Sequence, residues 1–181
     1  MNSHRAMVII NIVGGFAVLG SYAWCIFGFP EIAVKAWGGV PADLRPVYTI
    51  SMLAAAVGYF PFTGYLLLQI QPEVLEHKGP FSFSLINWLY GIILIPSVIW
   101  MPATLYMVET PSASTWLLIR VVLAVVGLGS LGMLYVVAKL RRHGHPVFFW
   151  LALLGIILFN LQTTVLDALV WTAYYPFPSV G

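Results

Sequence analysis

Hydrophobic residues make up 61% of this 181-residue chain and charged residues only 8%, with eight lysines and arginines against six aspartates and glutamates. A soluble domain carries about 25% charged residues, so a soluble globular fold is excluded, and disorder would need the opposite composition. The single cysteine, Cys25, rules out a disulfide scaffold, and a net charge of +2 is too slight for a nucleic-acid footprint.

Crossing a bilayer takes about 20 apolar residues in a helix. Five stretches meet that length, at about 6–29, 47–70, 83–108, 116–138 and 147–175. They are continuous rather than alternating, which argues against a barrel, and lipid satisfies no open strand edge. The fold predicted is therefore all-α: a polytopic membrane protein with one domain, 1–181, built as a compact bundle of five transmembrane helices.

The first span has no charge and exceeds the 7–15 apolar residues of a signal-peptide core, so it reads as a retained helix. Pro30, Gly38, Gly39, Pro41 and Pro46 then break the chain. The second span holds Pro61 between Gly58 and Gly64, and Ala54 with Gly58 forms a small-xxx-small pair suited to helix contact. Pro72, Gly79 and Pro80 bound the next loop. The third span carries Pro96 and Pro102, each of which removes a backbone donor and bends a helix. Ser97, Trp100 and Thr104 share a broad side of it.

The loop 109–115 leads into the fourth span, which contains Arg120 and the run Gly127-Leu128-Gly129-Ser130-Leu131-Gly132. That run matches G-x-G-x-x-G, but the dinucleotide fingerprint needs a strand before it. In mid-span its glycines read as close-packing positions. Lys139, Arg141, Arg142, His143, Gly144, His145 and Pro146 make the fourth loop, suited to anionic headgroups. Three histidines, His77, His143 and His145, lack the cysteine or carboxylate spacing of a metal site, so no metal and no cofactor are predicted.

The fifth span contains Asp167 and ends before Pro176 and Pro178. A carboxylate in mid-span costs about 2.5–3.5 kcal/mol and needs a partner, water or a proton. Arg120 enters the fourth span at a similar depth, so an Asp167–Arg120 ion pair, direct or through water, is expected. The alternative has Arg120 snorkelling to the interface. Asn160, Thr164, Asp167 and Trp171 follow spacings of four, three and four and so share one face of an α-helix, with Thr163 at its border and Gln162 pointing elsewhere. That face serves either interhelical hydrogen bonding or a ligand cavity. Trp116, Tyr106, Trp171, Tyr174 and Tyr175 read as one interfacial aromatic belt, and Trp88, Tyr90, Trp150 and Tyr135 as the other.

Short connections predict antiparallel packing of successive helices. Arg5, Lys78, Lys139, Arg141 and Arg142 fall on one side and Lys35 and Arg45 on the other, which places the N-terminus inside and the C-terminus outside. Short loops and the lack of a targeting signal point to a bacterial plasma membrane. In size, five spans and tryptophan richness the chain is similar to the translocator-protein family, five-helix bundles that bind porphyrins and sterols. The likeness is one of shape: that family's aromatic-proline signature does not map onto Trp37, Pro41, Pro46 and Tyr48, so no binding residue is carried over.

The function expected is a non-enzymatic one. The protein either binds a small apolar or amphipathic ligand in an intrabundle pocket or serves as a subunit of a larger membrane complex, in contact with membrane lipids and open to homo-oligomerisation. The candidate ligand residues are Asp167, Arg120, Asn160, Thr163, Thr164, Trp171, Trp100, Ser97 and Thr104. The alternatives are a small lipid-directed enzyme with Asp167 as acid or base, and an ion or proton pathway through an oligomer.

Overall fold

A computed structural model describes residues 3–78, 81–141, 144–175 and 177. Gly79, Pro80, Arg142, His143, Pro176 and Pro178, named above, lie outside the described residues. Among the described residues the chain is helical throughout, with no strand. Helix α1 is Ser3–Gly28, α2 Pro30–Lys35, α3 Arg45–Leu68, α4 Pro72–Lys78, α5 Phe83–Glu109, α6 Ala113–Lys139 and α7 Pro146–Asn160. The last continues as a π-helical segment, Leu161–Trp171, and a final turn, Thr172–Tyr174. Five of these rods are long and apolar enough to cross a membrane: α1, α3, α5, α6 and the whole of Pro146–Tyr174.

The helix starts follow from their residues. Ser82 Oγ accepts the Leu85 N–H at α5, and Ser112 Oγ accepts the Thr115 N–H at α6, each covering a donor that the first turn leaves free. His145 does the same for α7 through Nδ1, just before Pro146. Gly38 and Gly144 take positive φ angles of 56° and 74°, which favour glycine.

Successive packing holds for α5 with α6 and for α6 with α7, but not for the first two connections. Going round the bundle the order is α1, α5, α6, α7, α3. Residues 29–44 and 69–82 each contain a short helix, and that length carries the chain across to a non-adjacent place. The α3–α7 seam is close because Gly58 meets Gly155: a Cβ on Gly58 would stand 2.7 Å from the Gly155 carbonyl oxygen. The fourth-span glycines also pack, Gly129 on Ile92 and Ile93, Gly132 on Leu89, and Gly127 on Thr164 and Ala168. Gly58 thus acts through backbone approach, and the glycines of the G-x-G-x-x-G run are close-packing positions.

Two apolar clusters fill the interior. One, toward the end holding the start of α1, contains Phe62, Tyr65, Tyr90, Met133 and Phe149. The other, toward the C-terminal end, contains Tyr48, Trp100, Ile119, Trp171 and Tyr175. Three belt assignments are corrected here: Tyr90, Trp171 and Tyr175 are all buried. Tyr90 is fully buried, its hydroxyl on Thr63 Oγ1 at 2.8 Å, and Trp171 is buried with Nε1 donating to the Ala36 carbonyl at 3.2 Å. Helix α1 is the most weakly held rod. Only Met7 and Cys25 are buried on it, and its links to α3 include the 2.5 Å bond from the Tyr59 hydroxyl to Asn11 Oδ1.

Candidate functional site

The expected polar stripe on the fifth span divides in two, because the helix changes pitch after Asn160. In the π segment each N–H reaches back five residues instead of four, so residues five apart stand in line. Gln162, expected to point elsewhere, therefore reaches Asp167: Gln162 Nε2 donates to Asp167 Oδ1 at 2.7 Å. The local cause lies in side chains that bond their own helix's carbonyls, a habit that loosens an α ladder. Asn160 Nδ2 donates to the Ile156 carbonyl, Thr163 Oγ1 to that of Phe159 and Thr172 Oγ1 to that of Ala168.

The first half of the stripe is glue to α6. Buried Ser130 lies 2.8 Å from Thr163 Oγ1 and 3.2 Å from both Thr164 Oγ1 and Asn160 Oδ1. Asn160 Nδ2 also donates to the Ser130 carbonyl at 2.9 Å, and Thr164 Oγ1 to the Gly127 carbonyl at 3.2 Å. Asn160, Thr163 and Thr164 thus join the fifth rod to α6.

The second half, Asp167 and Trp171, turns toward α1, α3 and α5. The Tyr48 hydroxyl donates to the Leu166 carbonyl at 2.8 Å, beside Asp167, and Tyr22 of α1 and Tyr48 of α3 both lie within reach of the Asp167 charge. Tyr22 packs on Trp100 at 5.5 Å between ring centres, Trp100 on Trp171 at 6.0 Å, and Trp171 stacks on Tyr175 at 4.4 Å. Asp167 and Tyr22 are each half-buried. On this side of the bundle two buried polar atoms have no partner: Trp100 Nε1 and Gln162 Oε1, on residues 6% and 5% exposed.

The direct Asp167–Arg120 ion pair is not formed. Arg120 Nη2 donates to the Thr172 carbonyl, and its guanidinium lies 3.8 Å from the Trp116 ring centre. The end of a helix offers unpaired carbonyls and a negative dipole, and Trp116 offers a π face, so Arg120 is held about 7 Å further along the axis than Asp167. Among the described residues no lysine, arginine or histidine nitrogen comes within 4.0 Å of the Asp167 carboxylate.

Ser97 and Thr104 are not drawn to Asp167. Ser97 Oγ donates to the Ile93 carbonyl at 2.7 Å and Thr104 Oγ1 to the Trp100 carbonyl at 2.9 Å, both along α5 beside its prolines. Of the nine sequence candidates, then, Asp167 and Trp171 lie on the side of the fifth rod where Trp100 packs. Asn160, Thr163 and Thr164 hold α6, Arg120 closes the end of the fifth rod, and Ser97 and Thr104 brace α5. Gln162, which bonds Asp167, and Tyr22 and Tyr48, which pack on this side of the rod, were not among the sequence candidates. No family model, no curated protein and no solved structure matches the chain.

Proposed function

We propose that the protein is an integral membrane protein, N-terminus on the cytoplasmic side, that binds a small amphipathic ligand beside Asp167. The observation that carries this reading is a carboxylate with one side-chain donor and no cation within 4.0 Å among the described residues, on a side of the bundle that also holds two buried polar atoms without a partner, Trp100 Nε1 and Gln162 Oε1. A buried polar group without a partner costs about 1–3 kcal/mol, and a ligand that donates to Asp167 and to Gln162 Oε1 while accepting from Trp100 removes that cost. Rings from Tyr22, Trp100 and Trp171 suit an apolar body and also the face of an organic cation. The positive residues at the end holding the start of α1 support the orientation.

The test is a thermal-shift titration of the detergent-solubilised protein with a matched series of one alkyl chain bearing an amine, an alcohol or a carboxylic acid. The amine is expected to raise Tm most in the wild type. Asp167→Asn should abolish the amine's advantage, and Trp100→Phe should weaken every member. A series that shifts wild type and Asp167→Asn alike removes the reading. The enzyme and proton-pathway readings also centre on Asp167, and they predict instead lipid turnover, or a pH gradient dissipated across proteoliposomes, lost in Asp167→Asn.

A further inference from the structure

A second feature lies away from Asp167. Between α1 and α5 runs a groove of about 660 Å³, within the 300–1,000 Å³ of small-molecule sites. Its walls extend along α5 from Ser84 to Ile99, roughly 22 Å at 1.5 Å per residue. That exceeds the depth of one leaflet of a ~30 Å hydrocarbon core. The lining is apolar except at one end, where Ser84 and Asn87 sit. Asn87 Nδ2 donates to the Ser3 carbonyl at 3.1 Å, joining the two helix ends, while its Oδ1 is buried without a partner.

On α1, Ile9, Val13 and Ala17 line the groove at spacings of four, so they form one row along the helix. Arg5 is the next residue of that row, exposed and without a hydrogen bond or ion pair to the described residues. An apolar trough with an exposed cation next in the same helix row has the polarity of an anionic lipid: a chain, then a phosphate. We propose that this groove holds an acyl chain of an anionic glycerophospholipid from the leaflet on the N-terminal side, its phosphate on Arg5. The inference needs the protein to lie in a membrane but is independent of any ligand at Asp167.

Trp88 lines the groove and is 70% exposed, so it reports directly on what lies there. Gly91 supplies the control, because a Cβ there meets nothing within 4 Å and a larger side chain fills the groove without a clash. The full chain is reconstituted in phosphatidylcholine nanodiscs containing a small fraction of brominated phosphatidylglycerol or brominated phosphatidylcholine. The Trp88 contribution to fluorescence quenching is taken as the difference from Trp88→Phe. At equal mole fraction, phosphatidylglycerol is expected to reach half-maximal quenching at about fivefold lower content, the preference one interfacial arginine supplies. Arg5→Gln should bring the two lipids together, and Gly91→Leu should reduce Trp88 quenching by both. Equal quenching by the two lipids in the wild type, or a preference that survives Arg5→Gln, overturns the proposal. Quenching of other tryptophans by brominated phosphatidylcholine reads insertion alone, so its absence would refute the membrane reading itself.

Discussion

Gly58→Ala is a sharp test of how the bundle is held. A new Cβ would lie 2.7 Å from the Gly155 carbonyl oxygen, with Gly155 Cα at 3.1 Å and its carbonyl carbon at 3.2 Å. All three are backbone atoms, so no side chain can rotate away. Reaching an ordinary contact of 3.4 Å opens the α3–α7 seam by about 0.7 Å, and a gap of that size forfeits a quarter to a half of each dispersion contact. Overpacking of this kind costs about 1–3 kcal/mol. Helix propensity works the other way, since alanine beats glycine by about 0.8–1.0 kcal/mol. Gly64 isolates that second effect: it lies on the same helix and a Cβ there meets nothing within 4 Å. Gly64→Ala should therefore leave Tm unchanged or raise it, while Gly58→Ala lowers it by several degrees, at about 2–4 °C per kcal/mol for a chain of this size. The assay is thermal unfolding in one detergent, followed by circular dichroism. If both variants move Tm by the same amount, the close glycine crossing is not what joins α3 to α7.

Three further outcomes follow from the site. Ser130→Ala removes a hydroxyl that meets Asn160, Thr163 and Thr164; at ~0.6 kcal/mol per interhelical contact it should cost about 1–2 kcal/mol in thermal or denaturant unfolding, and a neutral result would deny the α6 glue. Arg120→Gln and Asp167→Asn should be additive in a double-mutant cycle to within about 0.5 kcal/mol, because the two groups have different partners, and a larger coupling would restore the ion pair. Cys25, buried to 0% exposure, should resist maleimide in the folded protein and react fully after unfolding in dodecyl sulfate; rapid labelling of the folded form would show that α1 does not lie against α5 as described.

The rods were legible because lipid-length apolar runs have few other solutions, and the five expected spans fall within two or three residues of the observed helices. The small residues Gly58 and Gly129 were legible too, since a glycine in an apolar helix has little to do except let another backbone near. The order of the rods was not. Hydropathy says nothing about which faces meet, and the second rod packs on the fifth through Gly58 and Gly155, far apart in sequence. That is why Tyr48 was passed over: its reach to Leu166 exists only once α3 lies against the fifth rod. Gln162 was missed for a different reason. The stripe was drawn at the α-helical repeat, and the chain does not keep that repeat after Asn160.

The change of pitch decides what the candidate site can be. In a continuous α-helix, residues five apart are turned by about 140° from one another, and Gln162 would look away from Asp167. The Asn160–Thr164–Asp167 face would then point as one body at α6, where Ser130 would meet the carboxylate's side of the rod. The π segment separates the two tasks. Asn160, Thr163 and Thr164 stay on Ser130, while Asp167 swings toward Tyr22 and Tyr48 with Gln162 beneath it. A winding this poor in geometry survives only where the surroundings hold it in place, and here the hydrogen bonds to α6 do so from one side. The device that glues the fifth rod to the bundle is thus also what frees its one carboxylate from the glue, leaving Gln162 as the side-chain donor to Asp167.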